Sequence, residues 1–572
     1  MLILEIHADD LVYPWHATPQ GWAAGRSVIQ PYRHDALHAE LRCSARRSAV
    51  VVRERGASAA HQAGLYKTPG ETTWTTEREL DRWLDETRSW PLDFVLLVID
   101  GRDTCRRVKL TAGSWGTAPL YLHAAHDVLR ASWDVADLYP HLQSTELDIH
   151  FASQYLLSLS NPYSRRTIFP EITRLTERAR AHWSPPFDRV RITYPPALDH
   201  SVAHRLCSRA DIVGTFREIL QSSMRRSRCD EQQPIAVELS GGLDSTLIVA
   251  TAATLPAPAT FSYGLIMPGQ PGEYQRLRRN EVVERAGLLD REFPCCDYPP
   301  FNPRSHRVRG NGTVMWGEYY EEAVTHLVEL VRADGLHTIY TGMGGDELCS
   351  YQFGELRADE QEGDDALRSS GFPEFVNRRV VEAFKKRHKI DDAPQALSYT
   401  SVMESAVAVA PVYLRNGVWP ISPLTTPELV EFCRKLPLAW RHRRKIHRQV
   451  LASFGYSKRV AFPKPAHLET FVHVMNYSLG TVAASVIEDV FVDSLAEAQG
   501  LIDGRALLRA YHRFRAGSVA PHIDQILGAL VLELTLRSVE RRRSVASKSA
   551  RETSSHTERN ETQPNRAKNS QA

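Results

Sequence analysis

The chain has 572 residues, 42% of them hydrophobic and 24% charged, with a formal net charge of +2. That length holds two or more domains with sizeable cores, and the near-neutral balance excludes an electrostatic footprint for nucleic acid or an acidic membrane. No apolar run nears the ~20 residues of a membrane-spanning helix. Eight cysteines without Cys-x-x-Cys spacing read as reduced thiols in a cytoplasm, and argue against a zinc site or a disulfide frame.

In chain order, residues 1–7 read as a strand followed at once by acidic residues, not as a secretion signal. Short apolar runs at 49–52 and 94–99, separated by turn residues, predict an antiparallel sheet protein up to about residue 200. From about 210 to 540 the pattern changes to alternation. Strands are predicted at 235–239, 260–263 and 338–341, and helices at 247–255, 319–332 and 428–436, giving a parallel sheet covered by helices and then a mostly helical end. Beyond 541 the chain is rich in Ser, Thr, Asn, Gln and Arg and is expected to be a disordered, solvated tail. The expected domains are therefore 1–205, 206–540 and the tail 541–572.

The most informative run is Ser240-Gly241-Gly242-Leu243-Asp244-Ser245-Thr246, preceded by Ile235-Ala236-Val237 and followed by the helix-like stretch. A strand ending in a glycine turn that opens into a helix aims its backbone N–H groups at one point, which suits a phosphate. The pattern lacks the Gly-Lys-Ser/Thr ending of a Walker loop. It is similar to the pyrophosphate loop of enzymes that split ATP into AMP and pyrophosphate. A second cluster, Thr341-Gly342-Met343-Gly344-Gly345-Asp346-Glu347, follows another strand. Ligands of open parallel sheets bind beyond the carboxyl ends of the strands. Asp244 and Asp346 are expected to bridge Mg²⁺ to the phosphates, since hard cations select carboxylate oxygens; the competing role for each is a helix cap. Departing pyrophosphate calls for a preorganised cation. The candidates are the basic run Arg441-His442-Arg443-Arg444-Lys445-Ile446-His447-Arg448 and Lys464. The lysines are favoured, and His442 and His447 read as surface or cap residues.

These pieces, in this order, resemble the asparagine synthetase superfamily. The match extends to its N-terminal glutaminase domain through Gly116-Thr117-Ala118-Pro119-Leu120-Tyr121, Leu147-Asp148 and Thr167-Ile168-Phe169-Pro170-Glu171-Ile172. The resemblance implies an Ntn-hydrolase-like antiparallel domain joined to an adenine-nucleotide α-hydrolase-like parallel domain. It implies ATP and Mg²⁺ as cofactors and Asp244 and Asp346 as metal ligands. Leu239, Ser240, Gly241, Gly242, Leu243, Asp244 and Ser245 become the pyrophosphate cradle, Ser262, Tyr263 and Gly264 the adenine strand, and Gly342, Met343 and Gly344 the facing loop. Lys445 and Lys464 become the clamps on phosphate and intermediate.

Two departures narrow the expectation. Glutamine-dependent members expose a cysteine at position 2, where this chain has Leu2, which cannot form an acyl intermediate. Asparagine synthetases hold a glutamate, and β-lactam synthetases a tyrosine, where this chain has Met343, and a thioether does neither acid–base job. Glu347 or Glu374 is then the candidate base. The chain is most similar to lasso-peptide cyclases, which implies a ribosomal precursor peptide as substrate, with a leader-peptide-binding protein and a leader peptidase as partners. The alternative is a small-molecule amide-forming enzyme of the asparagine-synthetase or β-lactam-synthetase kind. Substrate preference is expected in the irregular stretches 300–320 and 350–400.

Overall fold

The computed structural model describes residues 1–56, 72–101, 106–159, 162–187, 189–196, 206, 209–228, 230–310, 315–351, 371–386, 393–394, 396–464, 471–517 and 522–561. Residues 2–54 form β1 (Leu2–His7), β2 (His16–Thr18), β3 (Gly21–Ala24), β4 (Ser27–Pro31), β5 (Leu37–Cys43) and β6 (Arg47–Glu54). Then come β7 (Thr72–Trp74), α1 (Glu77–Arg88), β8 (Phe94–Asp100), β9 (Arg107–Ala112), β10 (Tyr121–Ala125), β11 (Val128–Ser132), α2 (Ile149–Ser158), β12 (Ile172–Arg174), β13 (Arg180–Trp183) and β14 (Arg191–Thr193).

These strands make two sheets, ordered β12-β10-β11-β1-β4-β3-β2 and β14-β13-β9-β8-β6-β5-β7. The pairing is antiparallel except for β5 with β7. Period-two alternation sends successive side chains to opposite faces of each sheet. Leu2, Leu4, Ile6 and Ile29 of the first sheet meet Leu41, Val50, Val52 and Leu97 of the second in one core. The outer face of the second sheet takes Leu80, Trp83 and Leu84 of α1. Tyr121 and Ile172 of the first share a cluster with Phe151 and Tyr155 of α2. The result is a helix–sheet–sheet–helix stack, with Leu2 fully buried inside it.

The remainder begins with α3 (Ile212–Arg226), β15 (Ile235–Glu238), α4 (Leu243–Ala252), β16 (Thr260–Ile266), α5 (Gln270–Ala286), β17 (Leu289–Pro294), α6 (Glu321–Ala333) and β18 (Thr338–Tyr340). It continues with α7 (Arg378–Lys385), α8 (Thr400–Arg415), β19 (Trp419–Ile421), α9 (Pro427–Arg434) and α10 (Lys445–Ser453). The five strands pair in parallel in the order β17-β16-β15-β18-β19. One face of the sheet is covered by α3, α4 and α10, through Phe216, Leu220, Leu247, Ile248 and Val450. The other is covered by α6 and α8, through Leu327, Val328, Val331 and Tyr413. Helix α4 is buried along its whole length, which explains its apolar sequence on every side. Chain order reverses between β15 and β18, so a crevice opens where their two glycine loops face each other.

The chain closes with α11 (Phe471–Gly480), α12 (Gly504–Arg515), α13 (Ile523–Glu561) and shorter turns between them. Tyr511, Leu530 and Leu534 pack with Leu156 of α2. Here the expected disordered tail is corrected over 541–561, because α13 runs unbroken past 541 to Glu561; 562–572 lie outside the described residues. Its polar composition forbids a core but not a helix. A turn already formed propagates readily through Arg, Ala, Lys, Glu and Ser, and Arg542 Nη1 donates to the Ala136 carbonyl at 3.0 Å. Among the described residues, no helix is long and apolar enough to cross a membrane.

The two halves meet through a buried polar contact, in which Trp419 Nε1 donates to Glu54 Oε1 at 2.8 Å. Within the first half, the Asp93 N–H donates to Glu54 Oε2 at 2.9 Å. Burial, then the Glu54 charge, push the Asp93 carboxyl up to about 7. The folded protein thus holds a proton that the unfolded chain has lost by pH 5, and stability falls as pH rises from about 4 through 7. Asp93→Asn is expected to raise the melting midpoint by about 2–4 °C at pH 8 and to leave it unchanged at pH 4. Equal shifts at both pH values in a thermal melt contradict this assignment.

Candidate active site

Strand β15 is buried through Val237 and delivers the chain to the crevice at Glu238. Gly241 turns it with φ +80, a left-handed conformation that a side chain resists. Helix α4 then starts at an N-cap, Gly242, that has no side chain to cap it. The hydroxyls tie the loop internally. Ser240 Oγ lies 3.1 Å from Ser245 Oγ, the Gly242 N–H donates to Ser240 Oγ at 3.2 Å, and Thr246 Oγ1 donates to the Gly242 carbonyl at 2.6 Å. From the opposite side, Gly345 approaches so closely that an added Cβ would lie 2.2 Å from Asp244 Cγ.

Between the loops lies a cavity of about 640 Å³. It is lined by Ser240, Asp244, Asp346 and Arg444, and its walls include the apolar Leu239, Leu265, Met267, Val324 and Leu327. Most of the residues expected from the sequence share it: Leu239, Ser240, Gly242, Leu243, Asp244, Ser245, Tyr263, Gly264, Gly342, Met343, Gly344, Asp346 and Glu347. Met343 also packs against the apolar cluster of Tyr163, Val402 and Met403. Glu347 accepts from Ser401 Oγ at 3.1 Å.

Five of the expected residues lie outside the cavity lining. Ser262 stands in register with Asp290 on β17, is fully buried, and donates its hydroxyl to Asp290 Oδ1 at 2.5 Å, away from the cavity. Gly241 lies behind the loop against Gln275. Lys445 is exposed, with its Nζ 4.8 Å from the Trp440 ring centroid. Lys464 is exposed and does not line the cavity. The alternative base Glu374 is likewise exposed outside it. Of the stretches expected to set substrate preference, 311–314, 352–370, 387–392 and 395 lie outside the described residues, and the described remainder of 300–320 and 350–400 does not line the cavity.

Sequence reasoning missed the cation that does reach the acids. Arg444 places Nη1 3.1 Å from Asp244 Oδ2 and pairs through Nη2 with Asp346 Oδ1. It is aimed there by two consecutive left-handed residues, Arg443 (φ 51) and Arg444 (φ 53), just before α10. Each costs roughly 1–2 kcal/mol, strain of the kind that gathers at functional sites. Also missed was His447, which is fully buried with Nδ1 3.1 Å from Asp244 Oδ1 and Nε2 3.7 Å from Cys349 Sγ. Its signal was available: it falls three residues after Arg444 and one turn before Leu451, on the buried stripe of α10.

The electrostatics are those of a site awaiting charge. Burial works against ionised Asp244, but His447 and Arg444 outweigh it and hold the carboxyl below its usual range. Burial also opposes the His447 imidazolium, yet Cys349 and Asp244 prevail and push it up to about 10. Partial desolvation, then the Asp244 charge, raise Asp346 above the usual carboxylate range. The His447–Asp244 contact has ion-pair distance without hydrogen-bond geometry, so Asp244 Oδ1 is buried and lacks a hydrogen-bond partner. Two carboxylates on facing loops, one with an orphaned oxygen, suit a hard divalent cation. Phosphate oxygens and water would complete its shell, because the described residues contain no cluster of three ligating groups.

A glycine-loop nucleotide crevice at the switch point of a parallel sheet, facing a second acidic glycine loop, defines an ATP-using enzyme that acts on the phosphate chain. The asparagine synthase family profile matches residues 215–525. The chain belongs to the asparagine synthase family, and is an ATP-dependent, AMP-forming amide ligase. Comparison with curated protein sequences finds no significant match. Among solved structures, a U34-tRNA thiolase, NcsA, from Methanococcus maripaludis is similar over 56% of this chain and 86% of its own, at 11% identity and a TM-score of 0.24. The allosteric regulatory enzyme of purine biosynthesis is similar over 60% of this chain and 89% of its own, at 9% identity and a TM-score of 0.19. Likeness at that level bears on neither mechanism nor substrate.

Proposed function

We propose that this ligase is a lasso-peptide macrolactam cyclase. It activates an Asp or Glu side chain of a ribosomal precursor peptide as the acyl-adenylate, which the peptide's own N-terminal amine then attacks to close an isopeptide ring. The observation that carries this reading is Met343 in the cavity wall, packed with Val402 and Met403, where a small-molecule amide-forming relative needs an acid or a phenol. Leu2, buried between the sheets, adds that ammonia released from glutamine is not the nucleophile.

The residues divide the work as follows. The loop from Ser240 to Ser245, with the open N-terminus of α4, receives the departing pyrophosphate. Arg444 balances the charge that grows on it. Asp244 and Asp346 would hold Mg²⁺, which supplies charge neutralisation to the triphosphate. The apolar walls around Leu239, Leu265 and Met267 take the adenine, and keep water from the acyl-adenylate. Holding the peptide folded makes ring closure intramolecular, an advantage of up to about 7–11 kcal/mol through orientation. A leader-binding protein and a leader peptidase would supply the substrate, in the cytoplasm.

The test gives purified protein ATP, Mg²⁺ and leaderless precursor peptides with Asp or Glu near the start. AMP and a product lighter by one water are expected. No AMP and no dehydrated product with authentic precursors overturns the reading. AMP formed from free aspartate and ammonia instead assigns the enzyme to small-molecule amide synthesis.

A further inference from the structure

The cavity has a second acidic feature that neither glycine loop supplies. Glu238 is the last residue of β15, and it lines the cavity on the face of the sheet covered by α6 and α8. Its carboxylate Oε1 accepts the hydroxyl of Tyr413, which is itself 2% exposed and lines the same cavity from α8. Glu238 is half-buried, so the surface it keeps belongs to the cavity wall and not to the exterior. A carboxylate at the end of a central parallel strand normally gives way to an apolar residue, because such strands are buried on both faces. Retaining one here costs stability unless it meets a cation.

The cavity therefore carries groups of both signs. Arg444 and the α4 N-terminus attract phosphates, whereas Glu238 repels them and attracts a cation. Besides the Mg²⁺ that Asp244 and Asp346 would hold, an amide-forming reaction brings a second kind of cation to such a cavity, the ammonium of the attacking amine. It also needs a proton acceptor, which Met343 cannot be.

We propose that Glu238, oriented by Tyr413, binds the attacking amine and accepts its proton during amide formation. The assignment rests on the amide-ligase reading above, and deepens it by naming the base. The ammonium first loses one proton to water. The lone pair of the free amine then forms the C–N bond to the acyl carbon, and the C–O bond to AMP breaks, its electron pair leaving on the phosphate. The second proton passes from nitrogen to Glu238 and on to solvent. Burial pushes this carboxyl up to about 7, with the Tyr413 hydroxyl opposing, which suits a base working near neutrality. The ionisable groups that face it are Tyr413 on α8 and Glu318 ahead of α6.

Glu238→Gln keeps the shape and removes the base. With a leaderless Asp- or Glu-containing precursor peptide, ring closure is expected to fall about 10²–10⁴-fold, and peptide-dependent ATP–pyrophosphate exchange by less than about threefold. Hydroxylamine, whose ammonium sheds its proton near neutrality, should capture the acyl-adenylate in the variant as fast as in the wild type. Ring closure at the wild-type rate, or exchange reduced as far as ring closure, overturns the proposal; the second outcome assigns Glu238 to the nucleotide. Tyr413→Phe provides the independent arm. Loss of its hydroxyl should move the acid limb of the ring-closure pH profile upward, and an unmoved limb overturns the proposal. Wild-type enzyme that forms no AMP with the peptide speaks against the cyclase reading itself, which the exchange arm reports separately.

Discussion

Arg444→Ala is expected to slow acyl-adenylate formation by about 10²–10³-fold, whereas Lys445→Ala leaves it within about twofold of wild type. The contrast follows from where the two side chains go. Arg444 spans both acidic loops, with one guanidinium nitrogen 3.1 Å from Asp244 and the other paired with Asp346. Lys445, its neighbour, lies over Trp440 on the exterior. A fixed guanidinium beside the departing pyrophosphate stabilises charge that exists only in the transition state, so its loss acts on kcat more than on KM for ATP. Arg444→Lys should recover part of the rate, because a point charge replaces the charge but not the two-pronged geometry. Peptide-dependent ATP–pyrophosphate exchange measures all three variants. A large effect at Lys445 with none at Arg444 reverses the assignment.

Gly345→Ala is expected to be nearly as damaging, at about 10²-fold, with little change in melting temperature. Its added Cβ would sit 2.2 Å from Asp244 Cγ and 2.5 Å from Oδ1. The loop backbone is confined on the other side by Gly344 against Thr425, so it is the carboxylate that must yield. Asp244 then loses its alignment with His447 and Arg444, and a misplacement of about 1 Å costs about 10²-fold in a preorganised site. The clearest readout is the Mg²⁺ concentration for half-maximal exchange, which should rise in Gly345→Ala and stay constant in Gly335→Ala, where the added Cβ meets nothing within 4 Å. An unchanged Mg²⁺ requirement contradicts the argument.

What the sequence disclosed and what it hid divide along physical lines. The two glycine loops were legible because strand, glycine turn and helix are written contiguously, and each part limits the next. The apolar runs at 49–52 and 94–99 foretold sheet for the same reason: a short apolar run set off by turn residues is a local property. The choice between Arg444 and Lys445 was not legible. Adjacent residues point about 100° apart around a helix, and the phase was set by the left-handed pair at Arg443 and Arg444, which carries no glycine or asparagine to announce it. Ser262 misled because its partner, Asp290, is brought beside it only by the pairing of β16 with β17. Glu238 went unnoticed as part of a site because its hydroxyl partner lies 175 residues further on.

Helix α8 links these observations to the part of the chain that carries neither glycine loop. Glu404, near its start, pairs with Arg174 of β12 at 2.7 Å, and Arg415, at its end, forms two bonds to Asp134 at 2.7 and 2.9 Å. Between these fixed points Ser405, Val409 and Tyr413 wall the cavity. The first two hundred residues therefore behave as a mounting plate, with a guanidinium–carboxylate rivet at each end of the rod they carry. Cutting them away would free the wall that holds Tyr413 against Glu238. A layer can stand apart from a reaction and still be indispensable to it, because the tolerance of that reaction is machined into it.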